Sequence, residues 1–330
     1  MKLSRKLMTI LLGVLICTLA FAGCSSKGTS SKGEDVSDYP KKNIELIVAY
    51  KAGGGTDVGA RILAAEAEKK LGKPLVVVNK PGADGEIGYS EIAKAKPDGY
   101  TIGFINLPTF VSLPIDRKTS YSKDDVVPIM NFVYDSGVLV VKGDSKFNTL
   151  EDLIKYAKSN PKELTISNNG TGASNHIGAA HFAKEAGIEV THVPFGGSAD
   201  MLAALRGDHV QATVAKISEV AHLVKSGELK ILASFTEDRL EIFKDVPTLK
   251  EKGFNVIFGS ARGVVAPKGT PEEIVKKLHD VFKEAMESEG LKEKCEKSNM
   301  PLKYMSSEEF KKYIDEDEKY IKEVVPKLGL

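Results

Sequence analysis

Residues 43–79 read NIELIVAYKAGGGTDVGARILAAEAEKKLGKPLVVVN, and this stretch decides the fold. Asn43 to Tyr50 is apolar and β-branched, as a strand covered on both faces must be. The run breaks at Gly53-Gly54-Gly55. From Thr56 to Leu71 the residues Val58, Ile62, Leu63, Ala67 and Leu71 recur at helical spacing. Leu75 to Val78 is a second strand. Strand, glycine turn, helix and strand make one βαβ unit, whose two strands lie parallel in a single sheet.

The same alternation continues on the C-terminal side. Pro81-Gly82-Ala83-Asp84-Gly85 is a turn, a short helix runs to Ala95, and Pro97-Asp98-Gly99 leads into a strand from Tyr100 to Ile105. A second set starts near Val127. Its predicted strands are Ile129–Phe132, Gly137–Val141, Leu164–Ser167, Val190–Val193, Val210–Val214 and Lys230–Phe235. Its predicted helices are Leu150–Ser159, His176–Ala186, Ala199–Arg206 and Ser218–Ser226. Thr270-Pro271-Glu272-Glu273 and Ser306-Ser307-Glu308-Glu309 open two terminal helices, since a hydroxyl cap and an early Glu satisfy the first free amides. The pattern is α/β, with sheets flanked by helices.

Composition narrows the function. Lys and Arg number 46 against 45 Asp and Glu, a formal net charge of +1, so no charge excess points to nucleic acid. Trp is absent and aromatics make up 7%, which leaves little for stacking on bases. The three cysteines, Cys17, Cys24 and Cys295, are too few and too scattered for a disulfide scaffold or a zinc site. No cofactor or metal is expected. The length suits about two domains, and 42% apolar residues can build a core for each.

The N-terminus reads as an address. Lys2, Arg5 and Lys6 precede the apolar run Leu7 to Ala22, which has the length of a signal peptide rather than of a membrane span. Phe21-Ala22-Gly23-Cys24 resembles the lipobox of bacterial lipoproteins, in which the cysteine is acylated and becomes the mature N-terminus. Residues 1–23 are therefore expected to be a lipoprotein signal peptide, with lipidation at Cys24. Residues 24–38, CSSKGTSSKGEDVSD, read as a flexible tether with a root-mean-square reach of about 20 Å. The expected location is extracytoplasmic, anchored to a bacterial membrane through that lipid alone.

Four glycine- and hydroxyl-rich turns follow strand ends: Gly53-Gly54-Gly55-Thr56-Asp57, Pro81 to Gly88, Asn168-Asn169-Gly170-Thr171-Gly172-Ala173-Ser174, and Phe195-Gly196-Gly197-Ser198. In open α/β sheets ligands bind beyond the carboxyl ends of the strands. A helix beginning there aims unpaired amides and a partial positive charge at the ligand, which suits an anion. Enzyme templates fail on single residues. Val58 and Asn175 stand where a dinucleotide fingerprint needs glycine, and no Gly-Lys-Ser/Thr follows Gly53 or Gly54. Gly172-Ala173-Ser174-Asn175-His176 resembles a nucleophile elbow except for its final His. A surface serine hydrolase using Ser174 with His176 is therefore the alternative reading. The six histidines include no HExxH, which argues against zinc.

These residues also carry a family resemblance. Tyr39-Pro40, Ile44 to Val48, Gly53 to Asp57 with Arg61, Val78 to Ala83 with Gly85 and Gly88, and Pro97 to Thr101 are similar to Bug-type receptors of tripartite tricarboxylate transporters. So are Gly170, Gly172, His176, Val193-Pro194-Phe195, Val246-Pro247-Thr248 and Ala266 to Pro271, in order along the chain. The resemblance implies a two-lobed type II periplasmic-binding fold without catalysis, which delivers a small carboxylate to integral membrane permease subunits. It implies that backbone loops after the first strands of both lobes hold the ligand. Carried over, the ligand-binding set is Lys51, Gly53, Gly54, Gly55, Thr56, Asp57 and Asn106 on one lobe. On the other it is Asn169, Gly170, Thr171, Gly172, Ala173, Ser174 and His176, with Phe195, Gly196 and Ser198 beside them. Arg262 is a candidate for a distal carboxylate, and Lys51 for added positive charge. Asp84 and Glu86 stand where the family has uncharged residues, and Phe195-Gly196 replaces Tyr-Lys. Lobe one is expected to comprise residues 39–128 and 236–330 and lobe two residues 129–235, with crossings near Val127–Met130 and Phe235–Thr236. A monomer is expected.

Overall fold

The computed structural model describes residues 38–169 and 173–328. The expected signal peptide, Cys24 with its expected lipid, nearly all of the expected tether, and Gly170, Thr171 and Gly172 lie outside the described residues. In chain order the elements are β1 (Ile44–Val48), α1 (Gly55–Leu71), β2 (Leu75–Asn79), α2 (Glu86–Lys94), β3 (Thr101–Asn106), α3 (Thr109–Asp116) and β4 (Val126–Lys142). Then come α4 (Leu150–Ser159), β5 (Leu164–Asn168), α5 (Ser174–Glu185), β6 (Val190–Pro194), α6 (Ser198–Arg206), β7 (Ala212–Lys216), α7 (Ile217–Lys225) and β8 (Leu229–Ser234). The chain ends with β9 (Gly259–Pro267), α8 (Glu272–Glu287), α9 (Glu289–Lys297), β10 (Leu302–Met305) and α10 (Ser307–Val324).

Two parallel βαβ systems share one long strand. In the first, β1 pairs in parallel with both β2 and β3, and β9 lies antiparallel between β3 and β4. In the second, β5 pairs in parallel with both β6 and β7, and β4 lies antiparallel between β7 and β8. The orders β2-β1-β3-β9-β4 and β6-β5-β7-β4-β8 repeat one topology. The turn after β1 and the turn after β5 therefore hold equivalent places in the two halves.

Strand β4 makes the join. Val126 to Ser136 pair with β9, and Gly137 to Val140 pair with β7. The runs Ile129–Phe132 and Gly137–Val141, expected as separate strands, are thus parts of one. Strand β9 has no counterpart among the strands expected from periodicity, and β7 lies two residues later than the predicted Val210–Val214. Helix α4 coincides with its expectation, because Thr149 caps the Asp152 amide and Asp152 returns a bond to the Thr149 amide.

Each half has an apolar core. Ile47, Tyr89, Phe110, Val265, Phe310 and Ile314 are fully buried or nearly so in the first half. Leu139, Phe182, Val214, Phe235 and Phe258 fill the second. Helix α10 adds a further tie: Ile177 of α5 packs in the same cluster as Phe310 and Ile321, and the Tyr320 hydroxyl lies 2.5 Å from Nδ1 of His181.

Candidate functional site

Helix α1 begins directly after the first glycine turn. Gly54 occupies its cap position and no side chain satisfies the first amides, in contrast to α4, α9 and α10, which Thr149, Ser288 and Ser306 cap. Helices α5 and α6, after Ala173 and Gly197, likewise start without a side-chain cap. The helices that follow the glycine turns thus start without a side-chain cap, as do α2, α3 and α8. Gly53 turns the chain at φ +87°, a conformation that L side chains rarely adopt.

Several candidates find partners within the protein itself. The Gly53 amide donates to Asp57 Oδ2 at 2.8 Å, and the Asp57 carboxylate also accepts from Arg61 at 3.0 Å and from Asn79 at 2.8 Å. Burial opposes charge on Asp57, but bonds from Arg61, Gly53 and Asn79 outweigh it and hold its carboxyl below the usual range. Asp57 therefore fixes the turn, and its carboxylate and the Gly53 amide satisfy each other. Asp57→Ala is expected to destabilise the protein by about 2 kcal/mol in denaturant unfolding, as loss of charge-assisted hydrogen bonds predicts. The Asn169 amide is similarly satisfied, by Asn175 Oδ1 at 3.1 Å. Asp84 and Glu86 both pair with Arg117, at 3.2 and 3.1 Å, which compensates the charges that depart from the family pattern. Lys51, Gly54 and Gly196 are exposed, and Phe195 is partly buried.

The remaining candidates meet near the β4 crossing. A Cβ on Gly55 would lie 3.3 Å from Nη2 of Arg262, so this guanidinium fills the space beside the first residue of α1. Arg262, 4% exposed, pairs with fully buried Asp135 at 3.0 Å. Asp135 also accepts from the Ser218 amide at 3.2 Å and the Ser218 hydroxyl at 2.5 Å, at the start of α7 in the second half. Asn106 lies opposite Arg262 across β3 and β9, and its amide nitrogen donates to Thr56 Oγ at 3.1 Å.

From the second half, Lys216 Nζ donates to Ser174 Oγ at 3.1 Å. Asn169 Nδ2 donates to Ser198 Oγ at 3.1 Å, and Ser198 donates to Glu219 at 2.5 Å. Both glycine turns are therefore linked to buried polar groups around the crossing. Several of those groups remain unsatisfied among the described residues: Arg262 Nε, Asn106 Oδ1 and Asn169 Oδ1 are buried without a hydrogen-bond partner. Orphaned buried polar atoms are costly and rare in native proteins; these three lie on or beside the turns, whereas Asn131 Oδ1 and Asp317 Oδ2, equally unpartnered, lie elsewhere.

His176 is buried, and its ring meets His192 edge-on at 4.6 Å. Burial, reinforced by His192, pushes its imidazole down to about 4, so it is neutral at physiological pH. Ser174 is held by Lys216. Among the described residues, no group of His, Cys, Asp or Glu is placed to hold a metal ion. Lys216, Asp135 and Ser218 are absent from the set expected from sequence. The available signal is a buried charge in an otherwise apolar strand, Asp135 within VVPIMNFVYDSGVLVVK and Lys216 at the end of ATVAK, because such a charge persists in a core only with a partner or a task.

Comparison with known proteins gives consistent matches. A family model described as "Tripartite tricarboxylate transporter family receptor" matches residues 59–330. A protein from the gbd 5′ region of Cupriavidus necator is 38% identical over 293 residues, covering 88% of this chain and 89% of its own. A solute-binding protein from Polaromonas, solved without ligand, superposes with a TM-score of 0.76 at 35% identity, covering 88% of this chain and 99% of that one. An R. palustris protein solved with adipate superposes with a TM-score of 0.80 at 28% identity, with coverage of 88% and 99%.

Proposed function

Because the chain belongs to the tripartite tricarboxylate transporter receptor family, a family of two-lobed solute-binding proteins and not of enzymes, we propose that it captures a small organic carboxylate between its lobes and hands it to a membrane permease. The observation that carries this reading is the cluster of unsatisfied buried groups, Arg262 Nε, Asn106 Oδ1 and Asn169 Oδ1, beside the uncapped starts of α1 and α5. Open helix amides and a guanidinium favour an anion from both sides. Adipate bound to the R. palustris relative supports a dicarboxylate.

We draw the lobe boundaries where strands change partner, at Ser136–Gly137 and between Phe235 and Gly259. This shifts the first crossing from the Val127–Met130 expected from sequence, because β4 stays paired with β9 up to Ser136. Closing the lobes brings the two glycine turns onto the ligand and links occupancy to shape. The lipid on Cys24 and the tether hold the monomeric receptor outside the membrane. Among the described residues no helix is long and apolar enough to cross one.

Reversible delivery calls for moderate affinity, and a micromolar constant corresponds to about −8 kcal/mol. Thermal unfolding of the purified protein with a series of dicarboxylates, adipate first, tests this reading. At about a hundredfold excess over Kd, ligand adds about 2.7 kcal/mol of stability and raises Tm by several degrees. A series of di- and tricarboxylates that leaves Tm unmoved, with circular dichroism showing an intact fold, would end it.

A further inference from the structure

Lys216 is an unusual lysine. It ends β7, pairs with Gly137 at the point where β4 enters the second sheet, and is 5% exposed. Lysine almost never loses water to this degree without a carboxylate against it. Here the Nζ has one hydrogen-bond acceptor among the described residues, Ser174 Oγ at 3.1 Å, and lies 3.7 Å from the centre of the Phe258 ring. An ammonium has three donors, and a ring face supplies no lone pair to a second.

The nearest charges are committed elsewhere. Glu219 accepts from the Ser198 hydroxyl and the Lys216 amide, and Asp135 is occupied by Arg262 and Ser218. Arg262 adds a like charge to the surroundings of Lys216. Glu219 and Asp135 thus act on Lys216 through space without an ion pair to its Nζ, which leaves the amine short of acceptors beside the first residue of α5, whose starting amides carry no side-chain cap.

Building on the carboxylate-capture reading, we propose that Lys216 is the residue that selects an anionic ligand group at Ser174, and that capture is accompanied by uptake of one proton from solvent onto its amine. The electrostatics agree with that geometry. Burial lowers the Lys216 amine to about 7, although Glu219 and Asp135 pull the other way and Arg262 adds to the lowering. In the empty protein the amine is thus partly neutral near neutral pH. A ligand carboxylate favours the charged form and raises its pKa, so a proton enters with the anion. The sign is fixed by linkage: affinity is fully developed below about 7 and declines as pH rises above it.

Isothermal calorimetry with adipate, in two buffers of different ionisation enthalpy, tests this on the unaltered protein and on Lys216→Met. Methionine keeps the length and apolar stem of the side chain, and thermal unfolding checks that the variant folds. The wild-type protein is expected to take up most of one proton at about pH 7.5 and to bind about tenfold more weakly at about pH 8.5 than at about pH 6.5. Lys216→Met is expected to bind at least tenfold more weakly than wild type at the lower pH, with no proton uptake and a flat pH profile. Adipate binding by wild type without proton exchange, or with unchanged affinity in Lys216→Met, overturns the role of Lys216 while capture stands. Failure of wild type to bind adipate or any other dicarboxylate overturns both.

Discussion

Asp135→Ala is expected to lower stability by about 3–5 kcal/mol, the range for removing one member of a buried ion pair. Asp135 is fully buried, Arg262 is 4% exposed, and the pair is 3.0 Å apart. Truncation strands the guanidinium, whose Nε already has no partner among the described residues, and also removes the acceptor of the Ser218 amide and hydroxyl. The loss is a large part of a typical total of about 5–15 kcal/mol. Arg262→Met alone is expected to be comparably harmful, since it leaves the carboxylate uncompensated. The double variant Asp135→Ala/Arg262→Met is expected to recover much of the stability, because no buried charge remains in the pair. Urea unfolding of the four proteins separates these outcomes, and a strictly additive cycle would show that the two residues do not act as a pair. The double variant should nonetheless bind dicarboxylates poorly, which distinguishes a ligand-facing guanidinium from a purely structural one.

Phe258→Ala is the second large effect, expected at about 3–5 kcal/mol for a buried aromatic cut to a methyl group. The ring lies on two glycines: a Cβ on Gly137 would come within 2.4 Å of it and one on Gly178 within 2.8 Å. It also meets Phe235 edge-on at 5.7 Å and carries Lys216 Nζ on its face. Its backbone joins the crossing through Phe258 N to Phe235 O and Gly137 N to Phe258 O, each 2.9 Å. The cavity left behind borders a charged group, so water is expected to enter it. Hydration relieves the burial that depresses Lys216, and its amine climbs back toward the ordinary lysine range. Calorimetry on this variant should therefore show less proton uptake with adipate than wild type, alongside the drop in unfolding midpoint.

Much of the architecture is legible in the sequence because it follows from periodicity. The first βαβ unit, helix α4 with its Thr149 cap, and the glycine turns ahead of α1, α5 and α6 all carry local signatures. What escapes is set by distant partners. Asp135-Ser136-Gly137 has the composition of a turn, yet it continues a strand, since Arg262 and Ser218 hold Asp135 while Phe258 demands a residue without a side chain at 137. Gly259-Ser260-Ala261-Arg262-Gly263 hides the start of β9 for the same reason: its arginine and glycines look like loop, and pairing with β3 and β4 on both sides makes it a strand. Among the residues expected to bind ligand, Arg262, Thr56 and Ser174 sit in the cluster. Asp57 also braces the turn, and no local rule shows that its carboxylate folds back on Gly53.

The sharing of β4 bears on how this protein can be cut. A fragment ending at Phe235 would keep Val126–Ser136 but lose β9, leaving backbone groups of both β3 and β4 bare along a flat edge, the arrangement that invites sticking to other chains. A fragment running from Gly137 to Phe235 would retain the inner pairings of the second sheet but forfeit both Asp135 and Arg262, so the Ser218 amide and hydroxyl would lose their buried acceptor. Biosensor engineers who wish to insert a reporter or split the polypeptide are thus better served by the exposed turn after α7, at Lys225–Gly227 and ahead of the Glu228 carbonyl that accepts from the Gly143 amide, than by either seam between the halves.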